Sequence, residues 1–459
     1  MLYSLLKPLV SVTMKGYFKK IEIFGAEHLE YDGAIYVSNH PSAVFDPALA
    51  ALTAKKEFNF IASAEWFGKG IQEWIFKNEL NMIPVYRPWL LKNGEKVDNG
   101  DMFKECYTHL ENGKRLIIYP EGSSITVSWL RELKTGAARI KLGAEAEYGN
   151  GKKIQIIPIG MNYSNAHRFQ NRVLINVGAP VDFTDLESLS FNDDKERAKA
   201  YTERIAEAMQ AQLLHIKREE EAKFIKSVVK LLTDALMQEV GLEKKDAVGS
   251  FKIKKQIIEI IENIKSANPD QLQKLEEELY DYIDRFEALG FRRFNPFKTS
   301  DSKQSKMLLA LFVGSPVFLI GMVLNGIPFW FSEFFFRKNF LGKVTQEHKQ
   351  GEINPSFAGT LAYGVGSISF LIWYIALAFY TAQFGPFYVT WPLTWLVGYQ
   401  SGQFALKYVS LFRRYARILK WNKYNSSNPK EAGKLLTDRE LLLEQLMALY
   451  NDSGNESSN

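Results

Sequence analysis

The stretch YVSNHPSAVFDP, Tyr36 to Pro47, places an imidazole at His40 and a carboxylate at Asp46 directly after an apolar run, Ala34 to Val37. Near pH 7 a neutral imidazole takes a proton from an alcohol, and a carboxylate on its other ring nitrogen fixes the tautomer and stabilises the imidazolium. Alone the pair is a weak signal, because a histidine at a strand end also serves as a turn or cap residue. Company comes from IIYPEGSSITVSWLRELKTGAARIKLG, where a strand ends at Tyr119 and Pro120 and Glu121, Gly122, Ser123 and Ser124 follow. Gly122 permits close backbone approach, and serine hydroxyls with freed N–H groups suit an anion. Arg87, closing MIPVYR, carries a planar fork that matches phosphate, and Lys134 and Arg139 add positive charge. Taken singly, these residues also read as a β-turn, a surface ion pair and a solvated helix face.

The elements that must position them alternate. From Ala34 to Pro180, β-rich runs (AIYVSN, FNFIAS, MIPVYR, RLIIYP, KIQIIPIGMNY, RVLINVG) are separated by helical stretches such as Ala64 to Glu79 and Thr135 to Tyr148. That alternation predicts an α/β fold with a mixed, mostly buried sheet flanked by helices, with chemistry in the loops at strand ends. From Asp193 to Gly290 the pattern is helical, with a turn at SANPDQ where Asn268 caps and Pro269 opens the next helix. Leu272, Leu275, Leu279, Tyr282 and Phe286 then share one face, as in a helical hairpin that packs on its neighbours.

The 459 residues are 46% hydrophobic, and two runs are free of charge, Met307 to Ser332 and Ile353 to Leu406. Each exceeds the roughly 20 apolar residues that span a bilayer. The second run is long enough to cross twice, turning at Gln383 to Pro386. The first, interrupted by Asn325, Gly326 and Pro328, reads as one span or as a helix that breaks and re-enters. Basic clusters precede the first run (Arg292, Arg293, Lys298), separate the two (Arg337, Lys338, Lys343) and follow the second (Arg413, Arg414, Arg417). If each run goes in and comes back, all three clusters share the cytoplasmic face, and the positive-inside tendency favours that arrangement. The single cysteine, Cys106, can form no internal disulfide, and no metal-binding spacing joins it to the six histidines. A net charge of +5 without a long basic block argues against nucleic acid as a partner. The N-terminal Leu5, Leu6, Leu9 and Val10, set against Lys7 and Lys15, read as an interfacial amphipathic helix or as a helix packed on the domain.

In order along the chain, NHPSAVFDP, PVYR, YPEGSS and IIPIGMNY resemble the four-block pattern of the PlsC-like glycerolipid acyltransferases, which acylate glycerol 3-phosphate or its 1-acyl form. The resemblance covers Leu2 to Phe183. It implies that His40 is the general base and Asp46 its orienting partner, that Arg87 and the Glu121 to Ser123 loop hold the phosphate-bearing acceptor, and that the strand of Pro158 shapes the acyl-donor site. Two departures stand out. Five residues separate His40 from Asp46 where the commonest spacing is four, which resembles the branch containing fungal-type glycerol 3-phosphate and dihydroxyacetone phosphate acyltransferases. Ser123 and Ser124 occupy the places of a threonine and an arginine, and Lys134 or Arg139 can replace the missing cation.

The expected organisation is an acyltransferase domain with its N-terminal amphipathic helix (1–213), a helical hairpin or linker (214–300), a transmembrane region (301–412) and a cytoplasmic helical tail with a disordered end (413–459). The expected reaction is direct acyl transfer without a cofactor, from acyl-CoA or acyl carrier protein to a glycerol phosphate or lyso-phospholipid hydroxyl. The resulting picture is an integral protein of the cell's inner membrane with its active site on the cytoplasmic face. A hydrolase using the same pair, or a scaffold that has lost activity, are the rival readings.

Overall fold

The computed structural model describes residues 2–87, 99–149, 151–166, 168–243, 245–267, 269–291, 300–340 and 355–456. The chain forms two compact units, Met1–Lys217 with Asn339–Tyr363, and Arg218–Lys338 with Gly364–Asn459.

The first unit is an α/β domain. In chain order it contains α1 (Leu2–Tyr17), β1 (Lys20–Phe24), β2 (Ile35–Ser38), α2 (Phe45–Thr53), β3 (Phe58–Ser63), α3 (Ile71–Trp74), β4 (Met82–Val85), α4 (Gly100–Glu111), β5 (Arg115–Ile118), α5 (Gly136–Tyr148), β6 (Ile156–Tyr163), β7 (Arg172–Val177), α6 (Thr184–Glu187) and α7 (Asp194–Ala211). Among the described residues seven strands lie in the order β1-β7-β6-β2-β5-β3-β4, and every neighbouring pair is parallel except β6 with β7. Successive side chains of a strand point to opposite faces. Ile35 and Val37 accordingly enter one core with Leu110, Ile140 and Met209, and Tyr36 enters another with Met14, Phe45 and Leu49. A sheet covered on both faces explains why the strands read as near-continuous apolar runs. Cys106 of α4 is buried in the first core.

Two local outcomes differ from the sequence pattern. The helical stretch expected over Ala64 to Glu79 is broken into a 3-10 turn, the short α3 and a π turn, because Gly68 and Gly70 adopt positive φ between them. Strand β1 carries KIEIF on the sheet edge beside β7, where exposure on one side weakens the apolar signal.

The second unit is helical: α8 (Ala222–Glu239), α9 (Ala247–Ala267), α10 (Pro269–Ala288), α11 (Asp301–Asn339), α12 (Ala358–Thr381), α13 (Phe387–Ser427) and α14 (Pro429–Glu456), with the first turns of α12 belonging to the first unit. Pro269 opens α10, and Leu272, Leu275, Leu279, Tyr282 and Phe286 are all buried. Helix α14 packs on α8, α9 and α10. The proposed cap Asn268 and the basic residues Arg292, Arg293, Lys298 and Lys343 lie outside the described residues.

Two helical stretches, Asp301–Asn339 and Pro355–Phe384, are long and apolar enough to cross a membrane. The second ends in a 3-10 turn at Ala382–Phe384 before Gly385 and Pro386, where the reversal was expected. The first is one uninterrupted helix of 39 residues, so of the two readings of this run the one without a break at Asn325 to Pro328 is the one that forms. A helical proline lacks the N–H that would bond the carbonyl four residues earlier. For Pro328 that carbonyl is Leu324 O, which accepts from Trp373 Nε1 at 2.8 Å. For Pro316 it is Phe312 O, which accepts from Ser315 Oγ at 2.8 Å. With both orphans satisfied, the helix continues. Asn325 likewise ties the helix to two others, donating to Gly398 O of α13 and accepting from Tyr374 OH of α12.

Trp373→Phe should therefore cost about 1 kcal/mol of stability in the native background and almost nothing beside Pro328→Ala, which restores the missing N–H. Thermal unfolding of the four variants of that cycle in detergent measures the coupling.

Candidate active site

Parallel pairing sets the geometry of the site. Val37 of β2 lies opposite Ile118 of β5, so the chain three residues beyond each of these paired positions, at His40 and at Glu121, leaves the same carboxyl edge side by side. There the two loops bond directly: His40 N donates to Glu121 Oε1 at 3.3 Å, and Ile125 N donates to His40 O at 3.1 Å. On the other flank Asn39 extends the pairing with β6 through its side-chain amide, accepting from Met161 N at 2.8 Å and donating to Met161 O. Position 40 is thereby held on both sides. Strand β2, with β5 and β6 as neighbours, sits where the chain order of the sheet reverses, the place where open α/β sheets leave a crevice.

The turn after His40 is tight. Ala43 adopts φ 39°, an unfavourable region for a residue with a Cβ, and Ser124 Oγ accepts from its N–H at 2.8 Å. Helix α2 starts at once, and Asp46 in its first turn reaches back into the turn. Asp46 is fully buried. Its Oδ2 accepts from His40 Nδ1 and from Ser42 N, each at 2.8 Å, and its Oδ1 accepts from Tyr163 OH at 2.6 Å. The contact with Asp46 engages Nδ1 and leaves Nε2 as the ring nitrogen not held by it. The His40 ring stacks on Tyr119 with centroids 4.2 Å apart, and its side chain remains 19% exposed. Burial, reinforced by the Asp46 charge, holds both Tyr119 and Tyr163 well above the ordinary phenol value, so Tyr163 is a proton donor.

Glu121 is buried, and burial raises its carboxyl above the usual range, while Arg131 and the His40 N–H act in the opposite sense. Arg131 Nε donates to Glu121 Oε2 at 2.6 Å, its Nη1 donates to Ser123 Oγ at 2.9 Å, and its Nη2 donates to Ser123 O. Gly122 has φ 75°, and a Cβ there would stand 2.6 Å from Lys134 Cε and 2.7 Å from Nζ, so the lysine side chain runs across the loop.

The structure therefore brings together His40, Asp46, Glu121, Gly122, Ser123, Ser124 and Lys134, and it leaves three expected residues elsewhere. Arg87 leaves the same sheet edge beyond β4, three strand spacings from β2 or about 14 Å, half-buried within the field of Glu65. Arg139 lies over the Phe103 ring of α4, 4.7 Å from its centroid. Pro158 is buried within β6 opposite Val37, inside the sheet and not at its edge. Ser124 also departs from expectation. Its hydroxyl faces inward, donating to His40 O at 2.9 Å, and its carbonyl accepts from Ser356 Oγ at 3.1 Å, so it clamps the turn in place of an anion. Two residues of the site, Arg131 and Tyr163, had no assigned role in the sequence. Tyr163 closes the quoted IIPIGMNY block, and Arg131 stands in the quoted run after EGSS, but nothing local marks their partners.

The protein-family model described as "Acyltransferase" matches residues 20–162. Glycerol-3-phosphate O-acyltransferase 1 of Saccharomyces cerevisiae is 32% identical over 91 residues, 20% of this chain and 12% of the relative. Glycerol-3-phosphate O-acyltransferase 2 of the same yeast is 32% identical over 90 residues, again 20% and 12%. These matches thus span about an eighth of the curated relatives. The crystal structure of the 1-acyl-sn-glycerophosphate acyltransferase PlsC from Thermotoga maritima aligns with a TM-score of 0.31 at 19% identity, covering 45% of this chain and 79% of that one.

The buried ion pair has a pH signature. An acid whose folded pKa is raised loses stability as pH rises from its unfolded value through the folded one, and removing Arg131 raises Glu121 further. Arg131→Gln should therefore cost about 2–3 kcal/mol at pH 7.5 and clearly less at pH 5.0. Adding Glu121→Gln should abolish the pH dependence of the deficit. Thermal unfolding at the two pH values decides, and an equal deficit at both would remove the ionic role.

Proposed function

With residues 20–162 forming an acyltransferase-family domain, related at low identity to glycerolipid acyltransferases, in a membrane-associated chain, we propose that the protein is an O-acyltransferase of phospholipid biosynthesis that acylates a glycerol phosphate. The observation that carries the reading is the His40 Nδ1 to Asp46 Oδ2 contact at 2.8 Å, which reserves Nε2 for a substrate proton at the sheet edge. His40 accepts the proton of the acceptor hydroxyl while its oxygen attacks the thioester carbonyl of acyl-CoA or acyl carrier protein. The C–S bond breaks, the thiolate takes up the proton held by His40, and an ester and a free thiol result. Asp46 and Tyr163 hold the ring and stabilise its charge.

Lys134 and the outer edge of Arg131 put positive charge beside the base, where an acceptor phosphate would be oriented and the two substrates held for a nearly unimolecular step. Arg87, on the same edge, is placed to meet a more distant part of a substrate. The names of the two yeast relatives and the five-residue spacing between His40 and Asp46 favour glycerol 3-phosphate over its 1-acyl form as acceptor. The basic residues flanking the apolar runs, with the positive-inside tendency, support a site on the cytoplasmic face of the inner membrane.

The test is the full chain in detergent with one labelled acyl-CoA and a panel of glycerol 3-phosphate, its 1-acyl form and dihydroxyacetone phosphate, with lipid products resolved. Acylated glycerol 3-phosphate is expected, and His40→Ala should lower kcat about 1,000-fold. Free fatty acid as the sole product with every acceptor would make the protein a hydrolase.

A further inference from the structure

Helix α13 is a single helix of 41 residues that changes character along its length. Its first part, to Leu406, carries no charge, and the remainder carries Lys407, Arg413, Arg414, Arg417, Lys420 and Lys423 without one acidic residue. The apolar part packs on both helices that are long and apolar enough to cross a membrane: Asn325 Nδ2 donates to Gly398 O, and Thr381 Oγ1 bonds Thr394 Oγ1. It therefore shares their surroundings.

The neighbouring α11 changes character at the same level. Its charge-free run begins at Met307, just after Lys303 and Lys306, and the helices are antiparallel and in step, with Tyr408 OH donating to Leu311 O at 3.0 Å and Asn422 Nδ2 donating to Gln304 Oε1 at 3.1 Å. The end of one apolar surface thus coincides with the start of the other, which fixes one boundary plane between hydrocarbon and water. At or just beyond that plane stand Lys303, Lys306, Lys407, Arg413 and Arg414, all exposed. None of these five side chains has an ion pair among the described residues. At a rise of 1.5 Å per residue, Lys407 to Arg414 spans about 10 Å, enough to reach through a headgroup layer of roughly 5–8 Å. Phe412 and Tyr415 interleave with the cations, as aromatic residues do at a membrane interface.

We propose that this band of five cations is a binding surface for anionic phospholipid headgroups, distinct from the acyl-transfer site. A carboxylate partner on the protein would compete with lipid phosphate. The one acid in the first turn of α11, Asp301, accepts from Gln304 Nε2. A neutral zwitterionic headgroup gains little here, whereas each lysine or arginine close to an anionic surface contributes a roughly fivefold gain in binding.

The experiment uses the full chain in mixed micelles and tail-labelled fluorescent phosphatidylglycerol, read by anisotropy. Saturable binding at low salt that weakens severalfold in 0.5 M sodium chloride is expected, as screening requires. Lys407→Gln/Arg413→Gln/Arg414→Gln should weaken it at least tenfold while the thermal unfolding of the protein stays within a few degrees of wild type. Unchanged binding in the triple variant, insensitivity to salt, or equal binding of labelled phosphatidylcholine would each overturn the proposal. Inorganic phosphate at millimolar concentration should not displace the lipid; if it does, the surface holds a free anion and the lipid assignment falls. His40→Ala should bind phosphatidylglycerol as the wild type does, which separates this surface from the acyl-transfer reading.

Discussion

A carboxylate with no exposure to solvent survives only if its lost hydration is replaced, and in this protein the replacement for Asp46 comes from three directions. The imidazole of His40, the backbone of Ser42 and the phenol of Tyr163 each bond it, and they belong to the turn after β2, the same turn's interior and the end of β6. Losing any one leaves a buried charge short of a partner. The turn, the first residues of α2 and the β6 strand are therefore mutually constrained, and the unfavourable backbone of Ala43 is tolerated inside that constraint. Ser124 extends it to the second loop by bonding both ends of the turn. The result is an imidazole whose orientation is set before any substrate arrives.

What could be read along the chain was what depends on short spacing. The strands announced themselves as apolar runs because the sheet is covered on both faces, and His40 with Asp46 was legible because a turn followed by a helix brings those two residues together locally. Roles that depend on contacts between distant segments were not legible. Tyr163 reaches Asp46 only because β6 lies beside β2, and Arg131 reaches Glu121 only because the chain after EGSS folds back over its own start. The inward turn of Ser124 was hidden for the same reason, since a serine in a loop carries no mark of which way its hydroxyl faces. Arg139 was the reverse case, a cation near the right segment whose helix directs it over Phe103.

The same logic explains why the first apolar helix stays unbroken. Asn325, Gly326 and Pro328 form a breaking signal by every local rule, yet the cost of Pro328 is offset by a tryptophan 45 positions later in the sequence. Local punctuation forecasts helix ends well where water must satisfy freed carbonyls and poorly where another helix can.

Helix α13 joins the apolar helices to the bundle formed by α14 with α8, α9 and α10, and it does so without a hinge. Apolar helices adjust to a bilayer of different thickness by tilting. The basic half of α13 extends about 30 Å past its apolar half, so a tilt of about 10° would swing its far end by about 5 Å. A rod of that kind would act as a lever, passing a change in bilayer thickness to the helices packed at its far end as a displacement.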